Sequence, residues 1–77
     1  MAFEWDENKR LSNLDKHSID FQDVKIFFES NPICFKDSRK DYGEDRFVAF
    51  GTIEGRVIIT AYTYREDTIR IISMRKA

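Results

Sequence analysis

Cysteine occurs once, as Cys34, and histidine once, as His17, so the chain closes no internal disulfide and has too few soft ligands for a structural zinc centre. No acidic loop has the spacing of a calcium site. The lone thiol suits a reducing compartment and reads as a space-filler. No stretch approaches the roughly 20 apolar residues that cross a bilayer. The opening Met1-Ala2-Phe3-Glu4-Trp5-Asp6 lacks the basic region and apolar run of an export signal. These absences predict a soluble cytoplasmic protein with no metal, no cofactor and no membrane partner. Repeats, low-complexity tracts and linkers are missing too, and 77 residues make one domain, 1–77. A chain this short buries only about 60% of its unfolded surface, so its stability is expected to be thin.

A strong charge excess of either sign is also lacking: the formal net charge is −1. It is unevenly spread, with −3 over residues 1–38 and +2 over residues 39–77. A basic excess of the kind that marks a strong nucleic-acid binder is absent. What positive charge there is sits in the second half, among alternating apolar residues.

The hydrophobic period divides the chain. Phe3 to Trp5 reads as a short strand. Asp6 is a plausible N-cap, and Glu7 to Lys16 a helix whose apolar anchors are Leu11 and Leu14. Ser18 or Asp20 caps a second helix through Glu29, on which Phe21, Val24, Lys25, Phe27 and Phe28 give a strongly apolar face. Asn31-Pro32 ends it. From there the period is two: strands over Ile33–Lys36, Arg46–Ile53, Arg56–Tyr64 and Thr68–Arg75, with a charged loop from Asp37 to Gly43 and hairpin turns at Glu54-Gly55 and Glu66-Asp67. Two helices ahead of such strands predict an α+β fold, with both helices packed on one face of an antiparallel β-meander. Strict alternation puts Val57, Ile59, Ala61, Thr63 and Arg65 on one face of their strand. On the last strand it sets Arg70, Ile72 and Met74 against Ile69, Ile71, Ser73 and Arg75. Both faces are partly apolar, which fits a sheet covered by helices on one side and by a partner on the other.

Arginine and tyrosine along such a surface suit phosphate, because a guanidinium presents a fork of donors that matches phosphate oxygens. Phe3-Glu4-Trp5-Asp6, with Lys9, Asn13, Lys16-His17 and Ile19, resembles the start of the BrnT family of toxins. Glu44, Arg46, Gly55-Arg56, Tyr62-Thr63, Arg65 and Arg70-Ile71-Ile72-Ser73 resemble its later half. The resemblance runs over essentially the whole chain, in order. It implies the toxin of a type II toxin–antitoxin pair, with a RelE-like fold and an endoribonuclease activity that arrests growth. It also implies a partner, a BrnA-type antitoxin with a ribbon-helix-helix DNA-binding domain, and contact with operator DNA only through that antitoxin, in an oligomeric complex. Ser18 stands where the family usually has glycine, and Met74 where it usually has alanine. Relatives commonly continue beyond the position of Ala77 into a charged tail, and an activity that needs such a tail would be weakened here.

RNA is cut without metal when the 2′-hydroxyl attacks the adjacent phosphate, which needs a base, cations for the phosphorane charge and an acid for the leaving oxygen. His17, Glu44, Arg65 and Arg70 are the catalytic candidates; Lys9, Lys16, Arg46, Tyr62 and Arg75 are candidates for holding substrate. Histidine is the one residue type whose unperturbed side chain changes charge near neutrality, which makes His17 the natural general base or acid. On a helix it stacks with Lys9 and Asn13 in a polar ridge that could meet RNA, or it simply complements the helix dipole at the C-terminus. Arg65 and Arg70 flank the Glu66-Asp67 turn and either grip a phosphate together or pair with Glu66 and Asp67 in solvent. Glu44 and Arg46 share a face as a base and its neighbour, or as a surface ion pair. Tyr62 stacks on a base or belongs to the core. Trp5, Phe21, Phe27, Phe28, Phe47 and Phe50 read as core, and Arg56 as a hairpin-edge residue. The competing readings are a non-catalytic module or inactive toxin remnant that only docks a partner, and, more weakly, a DNA-binding protein, for which no basic recognition helix is present.

Overall fold

A computed structural model describes residues 1–77. Its elements, in order, are β1 (Ala2–Glu4), α1 (Glu7–His17), a 3₁₀ turn (Phe21–Asp23), α2 (Val24–Glu29), β2 (Ile33–Asp37), β3 (Arg46–Ile53), β4 (Arg56–Arg65) and β5 (Thr68–Lys76). The five strands form one sheet in the order β1-β5-β4-β3-β2. The β2–β5 run is the predicted antiparallel meander, but the sheet as a whole is mixed. β1 pairs in parallel with β5, through Phe3↔Ile69 and Glu4↔Arg70, and the helices lie between β1 and β2 in the chain rather than ahead of all the strands. A three-residue strand has no periodicity from which its distant partner can be read, so this pairing is set by tertiary contact.

The caps are local. Asp6 accepts from the backbone N–H of Lys9 at 3.1 Å, and Lys16 and His17 place positive charge in the last turn of α1. Ser18 ends that helix in the left-handed region (φ 59°), where glycine is the less strained residue. Asp20 caps the 3₁₀ turn through the N–H of Gln22, at 2.9 Å, and also takes both of its carboxylate oxygens to Arg10 Nη1, at 3.0 and 3.2 Å. That pair ties α1 to the start of α2. Asn31 then adopts φ 57° ahead of Pro32, and Ser30 Oγ accepts from the N–H of Thr52 at 3.1 Å. The chain presses so closely there that a Cβ on Gly51 would lie 2.8 Å from Ser30 Oγ and 2.9 Å from Pro32 Cβ. At the far end of β3, Glu54 and Gly55 both have positive φ (50° and 77°), the geometry of a two-residue hairpin turn that follows strand twist.

The core lies between the helices and one face of the sheet: Ile19, Phe21, Val24 and Phe27 against Ala49, Ile58, Tyr62, Ile69, Ile71 and Met74. Burial reverses the expected orientation of α1. Leu11 and Leu14 are exposed, at 52% and 37%, while Asn13 is buried at 7%. The reason is the edge of β5. β1 covers that edge only as far as Arg70, and the Asn13 carboxamide continues the pairing beyond it. Its Nδ2 donates to the carbonyl of Met74 (2.7 Å) and to that of Ile19 (3.1 Å), and its Oδ1 accepts the Met74 N–H at 3.2 Å. One side chain thus stands in for a strand, satisfying backbone groups that burial would otherwise leave without partners.

The last strand departs from strict alternation. Its register passes from Tyr62↔Ile71 to Ala61↔Ser73, so Ile72 is an extra residue, a β-bulge. Ile69 and Ile71 face the helices before it; after it Met74 faces them, fully buried, and absorbs its own bulk in the core. Arg75 is thereby moved to the same face as Arg70, contrary to the alternation expected from the sequence.

Candidate active site

The face turned away from the helices is laid out by the strand registers. One row across the sheet reads Glu4, Arg70, Thr63, Arg46, Asp37; the next Ser73, Ala61, Val48, Phe35; the next Arg75, Ile59, Phe50, Ile33. At roughly 4.8 Å between strands, the backbones of Arg46 and Arg70 stand about 10 Å apart across Thr63, and Arg65 follows Thr63 on the same face of β4.

Carboxylates and one ring fix these arginines. Glu44, in the loop before β3, lies between two of them: its Oε2 is 3.5 Å from Arg46 Nε and its Oε1 3.9 Å from Arg65 Nη2. Arg70 pairs with Glu4 at 2.5 Å. The Arg46 guanidinium lies over the Tyr42 ring, 4.2 Å from its centroid. Tyr42 in turn donates to Asp37 at 3.1 Å, and Asp37 holds Arg39 with two bonds of 2.9 Å. Those bonds from Arg39 hold the Asp37 carboxyl well below the usual carboxylate range. The charged loop after β2 therefore carries an ordered network. Thr63 is buried beneath the cluster, and its hydroxyl donates to the Asp45 carbonyl at 2.6 Å, anchoring the loop that carries Glu44.

Three guanidiniums against two carboxylates leave the corner net positive. The arginines are partly exposed: side chains of Arg46, Arg65 and Arg70 keep 31%, 57% and 27% of their surface. They can turn donors toward an incoming anion while the carboxylates hold their positions.

Beside this corner the open face dips into a groove of about 530 Å³. Val48, Ile59, Ala61 and Ile72 contribute to its lining, Phe35 and Phe50 stand in it, and Arg39, Arg46 and Arg75 bring charge to it.

The other sequence candidates lie elsewhere. His17 ends α1, half-buried, and its neighbour Ser18 shares a small cavity with Ile53, Glu54, Arg56 and Lys76, at the β3–β4 hairpin. Arg65 is at the opposite end of β4, about 30 Å away by strand rise. His17 therefore does not join Glu44, Arg65 and Arg70 in one site. Lys9 and Lys16 are exposed on the same helix, and neither borders the groove. The ridge of Lys9, Asn13 and His17 is interrupted, because Asn13 turns inward to β5. Tyr62 is 2% exposed, stacked on Phe47 at 5.6 Å and edge-on to Phe28 at 5.4 Å. It leaves no open ring face for a base, and burial pushes its phenol well above the ordinary tyrosine range. Phe50, read from the sequence as core, is 40% exposed on the open face.

Sequence reasoning passed over Glu4, Tyr42 and Thr63. Glu4 pairs with Arg70 only because β1 docks on β5, and nothing in local spacing announces that. Thr63 was legible as a face-mate of Arg65, and Tyr42 carried no signal beyond lying in a charged loop.

Fold and face together define a small α+β protein with a cluster of partly exposed arginines on the open side of its sheet. The pattern of one family, described as the ribonuclease toxin BrnT of type II toxin–antitoxin systems, matches residues 5–77, and the chain belongs to that family. It is a ribonuclease toxin by family, and a toxin of this type has an antitoxin partner. No curated protein matches the chain. No helix is long and apolar enough to cross a membrane.

Proposed function

We propose that this chain is an endoribonuclease that cleaves RNA by attack of a 2′-hydroxyl on the adjacent phosphate, without a metal ion, at the cluster of Glu44, Arg46, Arg65 and Arg70. The observation that carries the reading is the Glu44 carboxylate set between Arg46 and Arg65, with Arg70 across Thr63. Arg65 and Arg70 take the phosphate oxygens and stabilise the charge that builds on them in the transition state. Arg46, held by Glu44 and by the Tyr42 ring, orients the phosphate. Glu44 accepts the 2′-hydroxyl proton as the O2′–P bond forms and the P–O5′ bond breaks, and the departing 5′-oxygen takes a proton from water at this open face. Arg75, brought to this face by the bulge, holds a neighbouring phosphate. His17, Lys9 and Lys16 have no part in this arrangement. Charge stabilisation by guanidinium groups does the work that a divalent cation does in many nucleases.

The RelE-like character of the family is consistent with a meander whose open face holds the site. A BrnA-type antitoxin of ribbon-helix-helix kind neutralises the toxin by covering that face, in an oligomeric complex that touches operator DNA only through the antitoxin. The apolar residues left exposed there, Ile33, Phe35, Phe50 and Val57, support such a cover. The test is the chemistry of the ends: incubation with RNA in excess EDTA should give 2′,3′-cyclic phosphate products. Cleavage that stops on chelation would overturn the metal-free mechanism.

A further inference from the structure

The groove beside the arginine cluster has a composition that phosphate binding alone does not call for. Phe35 and Phe50 stand in it edge to face, with centroids 6.0 Å apart and exposures of 55% and 40%. Rings this large are ordinarily buried. Around them stand Lys36, Arg39, Arg46 and Arg75 against one carboxylate, Asp37, which Arg39 already holds. Arg75 lies in the same row as Phe50, two strands away, with Ile59 between them. Arg46 lies on Phe50's own strand and face, four residues back. Arg39 borders the groove from the loop. At the rise and spacing of a sheet, these put guanidiniums about 10 to 13 Å from the Phe50 backbone.

We propose that this groove is a nucleobase subsite: Phe50, with Phe35 as its side wall, receives an unstacked base of a single-stranded RNA whose phosphates run over Arg75 and Arg46. The inference rests on the reading of the arginine cluster as an RNA site and adds the form of RNA it takes. Aromatic faces flanked by arginines match a strand of alternating base and phosphate. A duplex does not fit, because its base faces are occupied by one another. The floor of Val48, Ile59 and Ala61 is apolar and Ser73 stands at its edge, so stacking supplies most of the hold on a base. An apolar protein segment would satisfy the rings but leave Arg75, which pairs with no carboxylate of the chain, without an anionic partner.

The experiment is a binding titration by fluorescence anisotropy, with a short labelled 2′-O-methyl single strand that cannot be cut, the same strand with abasic residues, and its duplex. Phe50→Leu keeps the apolar character and removes the ring face, at a position exposed enough to leave the fold intact. It should weaken the intact single strand about tenfold or more, the worth of one stacked base, and leave the abasic strand unchanged. Phe50→Trp should restore the affinity, and the duplex should bind more weakly than the single strand. Arg65→Ala should weaken the intact and abasic strands alike. If Phe50→Leu and Phe35→Leu leave single-strand binding unchanged while Arg65→Ala weakens it, the base subsite is wrong and the RNA site stands. If neither class of change matters, the arginine reading falls with it. If the phenylalanine changes leave RNA binding alone but convert a sedimenting dimer to a monomer, the groove belongs to a second copy of the chain and the proposal is overturned.

Discussion

Replacing Asn13 by alanine should be among the most damaging single changes in this protein, although the residue lies outside the proposed site. The substitution removes three hydrogen bonds and leaves the N–H and C=O of Met74 and the carbonyl of Ile19 facing the space the carboxamide filled. Each buried backbone group left without a partner costs about 1–3 kcal/mol. The three share one space that water can partly fill, so the total is not additive, and about 3 kcal/mol is the expected loss. For a chain of this size that is a large share of the whole stability, about 4–12 kcal/mol. It corresponds to a fall in melting temperature of about 15 °C. Urea and thermal unfolding followed by circular dichroism measure it, and native-state hydrogen exchange should show the Met74 amide losing protection selectively. RNA cleavage per folded molecule should not change. A loss below about 1 kcal/mol, or a loss of activity in variant that remains folded, would refute the assignment of Asn13 as a structural stand-in for a strand.

Ser18→Gly relieves a left-handed backbone at φ 59° and should stabilise the fold by about 1 kcal/mol, read as a higher urea midpoint. Thr60 is fully buried with a hydroxyl that has no hydrogen-bond partner, so Thr60→Val should be neutral or stabilising in the same assay, not destabilising. Tyr62 stays protonated in the core to a higher pH than in the unfolded chain, where its pKa is about 10. Above about pH 10 the unfolded state therefore holds fewer protons, and stability should fall as pH rises, with no contribution from Tyr62 below that range. Tyr62→Phe should flatten the alkaline limb of a stability–pH profile, and an unchanged limb would contradict the burial argument.

Period-two alternation located β3, β4 and β5 to within a residue or two, because each strand has one buried face and short turns with Gly55 or Glu66 at positive φ between them. It also placed Arg65 beside Thr63 correctly. It failed beyond Ile72, where a bulge inserts a residue and alternation no longer predicts the face; Arg75 and Met74 exchange sides as a result. The orientation of α1 was illegible for a different reason. Hydropathy made Leu11 and Leu14 the anchors, but the helix meets an open strand edge that needs hydrogen bonds more than apolar contact, and Asn13 supplies them. His17 attracted a catalytic role from its residue type, its helical spacing with Lys9 and Asn13, and the family resemblance at Lys16-His17. Only tertiary structure shows that it stands at the other end of the sheet from Arg65. The Glu44–Arg46 pair was visible from its spacing, whereas Glu4 with Arg70 depends on a parallel pairing across most of the chain.

The most direct test of the account is metal-free RNA cleavage in excess EDTA by the wild type beside Arg65→Ala, Arg70→Ala and His17→Ala variants of matched fold. The account predicts 2′,3′-cyclic phosphate ends from the wild type and from His17→Ala, with cleavage reduced by a hundredfold or so when either arginine is lost, the scale of removing one donor to a developing oxyanion. Cleavage abolished by His17→Ala and untouched by the arginine changes would place the chemistry at the other end of the sheet and contradict it.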